Sequence, residues 1–244
     1  MTSSSDAEVK VETGESVEET FARGKVMFLG IELLAAPGSI IARKETETLG
    51  NTALQIIRER VKESGPQIVI DMCCGSGNLA SAIARHVEEA RVWASDLTDG
   101  CVDLTRRNVA ALGLGDRVTV VQGDLFEPLR GEAALVGQVD VVVCNPPYIS
   151  TGKLDTERSG LLENEPREAF DGGPYGIAIH QRVVKDALTF LKPGGVLLFE
   201  IGVGQARQVT LLFGRAKSYE AVESVADPEG EVRVVYSRRK KSET

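Results

Sequence analysis

Apolar residues along the 244-residue chain fall into short clusters whose spacing changes character from one end to the other. Residues 1–19 (MTSSSDAEVKVETGESVEE) carry many acids and almost no large apolar side chains, which predicts a disordered polar tail over 1–20. From Phe21 the composition shifts. Residues 28–43 (FLGIELLAAPGSIIAR) read as two short apolar strands around Pro37, Gly38 and Ser39, a hairpin by its turn chemistry. Leu49, Ala53, Ile57 and Val61 then recur at helical spacing until Gly65 and Pro66 stop the helix. Hairpin and linking helix together occupy 21–64.

Beyond Pro66 the pattern alternates between short buried strands and helices. QIVID (67–71), RVWASD (91–96), RVTVVQGD (117–124), VDVVVCN (139–145) and VLLFEIG (196–202) are the strands, and one helix between them turns Cys101, Leu104 and Val109 inward. YEAVESVADPEGEVRVVYS adds two strands joined at Pro228, Glu229 and Gly230, an antiparallel edge. The expected fold is α/β: a doubly wound, mostly parallel seven-stranded sheet over 65–238, with ligands at the carboxyl ends of its strands. The length suits one such domain. Residues 239–244 are read as a basic, solvated tail.

Composition narrows the classes of function. A net charge of −8 opposes phosphate-led nucleic-acid binding, so no stable nucleic-acid partner is expected. No apolar run approaches the ~20 residues that span a bilayer, and the N-terminus lacks a signal-peptide pattern, so no membrane partner is expected and the cytoplasm is the expected location. Cys73, Cys74, Cys101 and Cys144 show no paired C-x-x-C spacing and the chain has only two histidines, so no metal site is expected and the thiols are read as free.

The chemistry concentrates at the strand ends. DMCCGSGN (71–78) joins the first sheet strand to its helix, with Asp71 at the strand end and Gly75 and Gly77 permitting tight turns and close approach of a ligand to helix N-terminal amides. Asp96 ends the next strand, where a carboxylate can accept both hydroxyls of a ribose, and Asp124 ends the third, near an adenine amino group. Either acid alone is as readily a helix cap or a turn residue. Together with the G-x-G loop they resemble the layout of class I S-adenosylmethionine-dependent methyltransferases. The G-x-G-x-x-G dinucleotide fingerprint is incomplete, since Ala80 stands at its last position.

VVVCNPPYIS (141–150) ends the fourth sheet strand on Asn145, Pro146, Pro147 and Tyr148. The Asn145 side-chain oxygen can accept one N–H of a planar NH2 group, and a carbonyl in the Pro146–Pro147 turn, its direction locked by the prolines, can accept the other. Tyr148 offers an aromatic face to a flat amide or heteroaromatic amine. Accepting both hydrogens returns electron density to a delocalised nitrogen and aims it for methyl transfer, without a metal or a covalent intermediate. The alternative is a rigid turn that happens to hold Asn and Tyr.

With NPPYIS, the segments ENEPREAFDGGPYG (163–176), LKPGGVLLFEIGVGQ (191–205) and ETETL (45–49) resemble the HemK/PrmC family of protein-glutamine methyltransferases, over about residues 28–238. The resemblance implies S-adenosyl-L-methionine as cofactor, contacted by Cys73, Cys74, Gly75, Ser76 and Gly77, by Asp71 and Asp96, by Asp124 with Leu125, and by Asn145. It implies that Asn145 to Tyr148 bind the target amide, that Arg43 and Glu165 belong to the substrate side, and that Glu165 and Arg167 brace its wall. The family's Ile-Pro-Arg-Pro segment reads Ile41-Ala42-Arg43-Lys44 here, which alters the mouth of the pocket. By the same comparison the chain corresponds to the catalytic domain without the family's helical N-terminal domain, about twenty polar residues preceding the hairpin. The expected acceptor is a glutamine in a protein. The alternatives are a small metabolite bearing an amide, amine or hydroxyl, and a cofactor-binding subunit without catalysis of its own.

Overall fold

The computed structural model describes residues 16–156, 161–162 and 165–241. Readings that fall on residues 1–15, 157–160, 163–164 and 242–244 lie outside them; these cover most of the polar tail, the first two positions of the ENEPRE segment and the end of the basic tail.

The chain enters the described region through a short helix, α1 (Val17–Arg23). Ser16 and Glu19 close a capping box at its start and Gly24 ends it in the left-handed region, so residues 17–20 are helical rather than the end of a disordered tail. The sequence signal was Ser16-x-x-Glu19, masked by the surrounding acids. Strands β1 (Lys25–Phe28) and β2 (Ile31–Leu34) follow as a hairpin, with Phe28 paired to Ile31. The hairpin therefore turns at Leu29 and Gly30, both at positive φ (46° and 76°), and not at Pro37, Gly38 and Ser39. A two-residue turn of that hand matches strand twist, which a Leu-Gly pair inside an apolar run conceals. Residues 35–45, expected to hold the second strand, form an irregular segment that reaches the site instead.

Helix α2 (Thr46–Ser64) buries Leu49, Ala53 and Ile57 as their spacing predicts, while Val61 is only partly buried. Its Gly50 is the seat of the hairpin turn. A Cβ there would stand 2.5 Å from Leu29 Cδ1, and the Leu29 amide donates to Glu47 at 2.7 Å. Hairpin and α2 share one apolar cluster with the central strands, so the N-terminal segment is fixed against the sheet.

The main sheet contains β3 (Gln67–Met72), β4 (Ala90–Asp96), β5 (Val118–Gln122), β6 (Val139–Cys144), β7 (Leu191–Glu200), β8 (Glu223–Ala226) and β9 (Val232–Arg238) in the order β5-β4-β3-β6-β7-β9-β8. All neighbouring pairs are parallel except the two made by β9. Helices α3 (Asn78–His86), α4 (Asp99–Ala111), α5 (Thr151–Thr156), α6 (Ala178–Phe190) and α7 (Ala206–Ala216) make the crossovers or lie beside them. Every residue of β6 is buried, as expected of a central parallel strand covered on both faces. Arg239, read as the first residue of a basic tail, instead donates to the carbonyls of Leu188 and Leu191 and pins the last strand to the end of α6. Among the described residues no helix is long and apolar enough to cross a membrane.

Candidate active site

The winding of the sheet reverses between β3 and β6, whose parallel register ends on the pair Met72 and Cys144. The next residues, Cys73 and Asn145, therefore open two loops side by side at the carboxyl edge, where doubly wound sheets bind ligands. A cavity of about 1110 Å3 runs along that edge from Leu125 and Asp96, past Cys73 and Gly75, to Asn145 and Tyr148.

Strain in the first loop is local and ordered. Cys73 and Gly75 sit at φ 60° and 55°, and Gly75 donates its amide to Asp96 Oδ2 at 2.9 Å, so the acid at the end of β4 fixes the loop at the end of β3. Asp71 and Ser76 do not line the cavity. Asp71 is fully buried and accepts the Ala80 amide at 2.9 Å, tying β3 to the first turn of α3, and burial pushes its carboxyl up to about 8. Ser76 is buried and its carbonyl accepts from Asn108 at 2.9 Å. Gly77 is likewise absent from the lining; a Cβ there would stand 2.6 Å from Thr105 Cγ2, so this glycine lets α3 pack on α4. Cys74 and Cys101 line the cavity with burial pushing both thiols up, which keeps them protonated.

At the far end Asp96 turns its second oxygen to the Thr98 amide at 3.2 Å. Asp124 lines the cavity but is half exposed and paired with Arg182 at 2.7 Å. Leu125, at φ 53°, is buried with its carbonyl accepting from Ser95 at 3.1 Å.

The acceptor end is a polar network. Asn145 donates its Nδ2–H to Thr46 Oγ1 at 3.1 Å. Tyr148 donates its hydroxyl to Glu200 Oε1 at 3.3 Å and accepts from Arg233 Nη2 at 3.3 Å. Gln205 holds the turn from behind, donating to the Tyr148 carbonyl at 2.8 Å and accepting the Gly202 amide at 2.9 Å. Burial is the largest influence on Glu200 and pushes its carboxyl up to about 7, against the lowering effect of Thr46 and Arg233.

Arg43 lines the cavity and forms a buried ion pair with Glu165, whose other oxygen accepts the Ile41 amide at 2.8 Å. Glu165 itself does not line the cavity; it carries the wall that presents Arg43. Burial raises the Glu165 carboxyl, Arg43 and the Ile41 amide opposing it. Arg167, by contrast, sits at the exposed rim in pairs with Asp155 and Asp171. The ENEPREAF segment thus splits into a buried ion pair at Glu165 and a surface one at Arg167.

Thr46, Glu200, Arg233 and Gln205 line the cavity without having been singled out from the sequence. Thr46 lies inside ETETL and Glu200 and Gln205 inside FEIGVGQ, so the signal was present as a segment and not as a residue. Arg233, on the antiparallel β9, carries no local signal at all.

The residues fit a polar nucleoside–amino acid ligand with a second ligand beside it. Three buried polar atoms of cavity-lining residues, Arg43 Nη1, Glu200 Oε2 and Arg233 Nε, have no hydrogen-bond partner among the described residues. A cavity of this volume exceeds what one drug-sized ligand usually fills. Fold, glycine-bearing loop and acid-terminated strands define a class I S-adenosylmethionine-dependent methyltransferase.

A model described as "Methyltransferase domain" matches residues 69–157. The release factor glutamine methyltransferase of Geobacter sulfurreducens is 34% identical over 215 residues, covering 88% of this chain and 71% of that one. The 4-amino-L-phenylalanine/4-methylamino-L-phenylalanine methyltransferase of Streptomyces pristinaespiralis is 37% identical over 191 residues, covering 78% and 63%. Among solved structures, a T. thermophilus 16S rRNA N2 G1207 methyltransferase in complex with AdoMet and guanosine matches with TM-score 0.60 at 21% identity, over 88% of this chain and 50% of that one, and shows the shared fold. The chain belongs to the HemK/PrmC family, that of the release factor glutamine methyltransferases. It is an S-adenosyl-L-methionine-dependent methyltransferase.

Proposed function

We propose that this enzyme methylates the side-chain amide nitrogen of a glutamine in a protein. The observation that carries the reading is the placement of Asn145, Pro146, Pro147 and Tyr148 in one cavity with the cofactor loop, Asn145 and Cys73 each following directly on the last register pair, Cys144 and Met72. Cys73, Gly75, Asp96 and Leu125 would hold S-adenosyl-L-methionine, which would supply an electrophilic methyl carbon. The protein's part is to hold the nitrogen. Asn145 Oδ1 and a carbonyl of the Pro146–Pro147 turn accept its two hydrogens, Tyr148 covers one face of the amide plane, and Arg43 forms part of the wall on the acceptor side. On taking the methyl group the acceptor nitrogen would release one proton to solvent, and the demethylated cofactor would be the leaving group. Asp71, Ser76 and Gly77 serve the cofactor from behind the loop, through its shape.

The methyltransferase unit assigned to 65–238 works with the hairpin and α2, because segment 40–46 forms one wall of the cavity. The proposed partner is a protein with an exposed glutamine, by analogy with the relatives named for release factors. With four free cysteines and such an acceptor, the cytoplasm is the proposed place of action. The Streptomyces relative supports a second reading, a small aromatic amine as acceptor, which would place a ring against Tyr148. Incubating the protein with a glutamine-bearing release-factor peptide and with 4-aminophenylalanine, each with methyl-labelled cofactor, separates the two. Methylated glutamine is expected; label only on the amine would overturn the proposal.

A further inference from the structure

We infer that Tyr175 and Val203 form a rim that receives the polypeptide on either side of the acceptor glutamine, so that the site takes a chain segment rather than an isolated amino acid; this rests on the proposed glutamine acceptor. Large apolar side chains standing singly in solvent are ordinary and need no ligand to explain them. These two are not scattered. Tyr175 is 81% exposed and Val203 59%, both line the cavity, and each is the chain neighbour of a glycine packed on Tyr148. A Cβ on Gly176 would stand 2.3 Å from the Tyr148 carbonyl oxygen, and one on Gly202 would stand 3.1 Å from Tyr148 Cδ2. Gln205 ties the two loops together, donating to the carbonyls of Tyr148 and Gly176 at 2.8 and 3.3 Å and accepting the Gly202 amide at 2.9 Å.

Backbone bonds hold both loops. The Gly172 amide donates to the Ile149 carbonyl at 2.8 Å, the Thr151 amide to that of Gly173 at 3.0 Å and the Gly176 amide to that of Gly173 at 3.1 Å, while the Gln205 amide closes the turn at Val203 on the Gly202 carbonyl at 3.0 Å. Apolar groups on a fixed backbone have little freedom left to lose on binding. A glutamine amide held at Asn145 has its own Cα about 5 Å away, by bond lengths alone, so its main chain lies at the mouth. The neighbouring residues of an extended segment then span about 7 Å across that mouth. Their side chains point away from the cavity when the glutamine points in, so the rim meets main chain. Gln208, exposed in the same lining, offers its amide to that main chain. A nucleic acid fits less well: the three lining arginines, Arg43, Arg167 and Arg233, are each paired with a carboxylate and so are not set out for phosphates.

The test compares wild type with Tyr175→Ser, Tyr175→Phe and Val203→Ser on two acceptors, a release-factor peptide with three residues on each side of its glutamine and the single blocked residue Nα-acetylglutamine methylamide. In Tyr175→Ser kcat/KM for the peptide is expected to fall about 10-fold, the loss typical of one anchoring aromatic, while that for the blocked residue moves much less. Phe keeps the ring and should stay near wild type, with Val203→Ser between. An unchanged kcat/KM for the peptide in Tyr175→Ser, or an equal fall for both acceptors, would overturn the inference. If wild type methylates neither acceptor, the glutamine reading fails, and calorimetric titration of the peptide into wild type and Tyr175→Ser, each saturated with S-adenosylhomocysteine, decides the rim by itself. Affinity about 10-fold weaker in the variant supports it. Equal affinity, or no binding to wild type, contradicts it.

Discussion

Arg43 and Glu165, separated by 122 residues, form a buried ion pair that joins the segment entering α2 to the segment following α5. The pair holds one wall of the cavity in place, because the same carboxylate also accepts the Ile41 amide. Its consequence is mechanical. Wherever Arg43 goes, Thr46 follows three residues later.

Removing one partner of a buried pair leaves the other charge unmatched. Glu165→Ala is therefore expected to cost about 3–5 kcal/mol of stability and to raise KM for the acceptor more than it changes cofactor affinity. Denaturant unfolding and steady-state kinetics on the same preparation check both parts.

Asn145→Ala should abolish turnover while sparing cofactor binding, since it removes the accepting oxygen and leaves the loop at Cys73 and Gly75 intact. A loss of about 10²–10³ in kcat is the size expected for one preorganised polar group aimed at the reacting atoms. Calorimetric titration with the cofactor, run beside the kinetics, distinguishes this from a folding defect.

The pH dependence should carry the signature of Glu200, whose carboxyl burial pushes up to about 7. Ionised Glu200 is the form that accepts from the Tyr148 hydroxyl and pairs with Arg233, holding the turn at Tyr148, so kcat should rise with pH through the neutral range. In Glu200→Gln that rise should vanish, because the amide cannot titrate. The kcat–pH profile of the two proteins is the measurement.

Asp71 makes a prediction about stability. Its folded carboxyl is pushed up to about 8 by burial, above the ordinary 3.8, so the folded state holds a proton that the unfolded chain has released. The benefit is full at acid pH and is lost as pH rises toward 8. Asp71→Asn keeps an oxygen for the Ala80 amide and cannot ionise, so it should match wild type near pH 4 and unfold at higher temperature above pH 8. Thermal unfolding at both pH values tests it.

Much of this architecture was legible because its signals are local. Short apolar strands alternating with helices predicted the sheet, and Gly75, Asp96 and Asn145 were placed at strand ends by sequence alone. The errors were also local competitions. Pro37-Gly38 outweighed Leu29-Gly30 as a turn signal, although a left-handed pair at Leu29 and Gly30 makes the tighter hairpin. The contacts behind Asn145 and Tyr148 were not legible, since Thr46, which meets Asn145, and Glu200 and Arg233, which meet Tyr148, come from α2, β7 and β9 and reach the turn only when the sheet forms. Asp124 is the reverse case: it was assigned to the ligand, and the fold gives its carboxylate a second partner in Arg182.

The central claim is that a glutamine amide is the methyl acceptor, and its most direct test uses purified protein, methyl-labelled S-adenosyl-L-methionine and cell extract before and after desalting. The account predicts label on a protein band in both extracts, mapped by mass spectrometry to the side-chain nitrogen of a glutamine. Label confined to the small-molecule fraction, and absent after desalting, would contradict it.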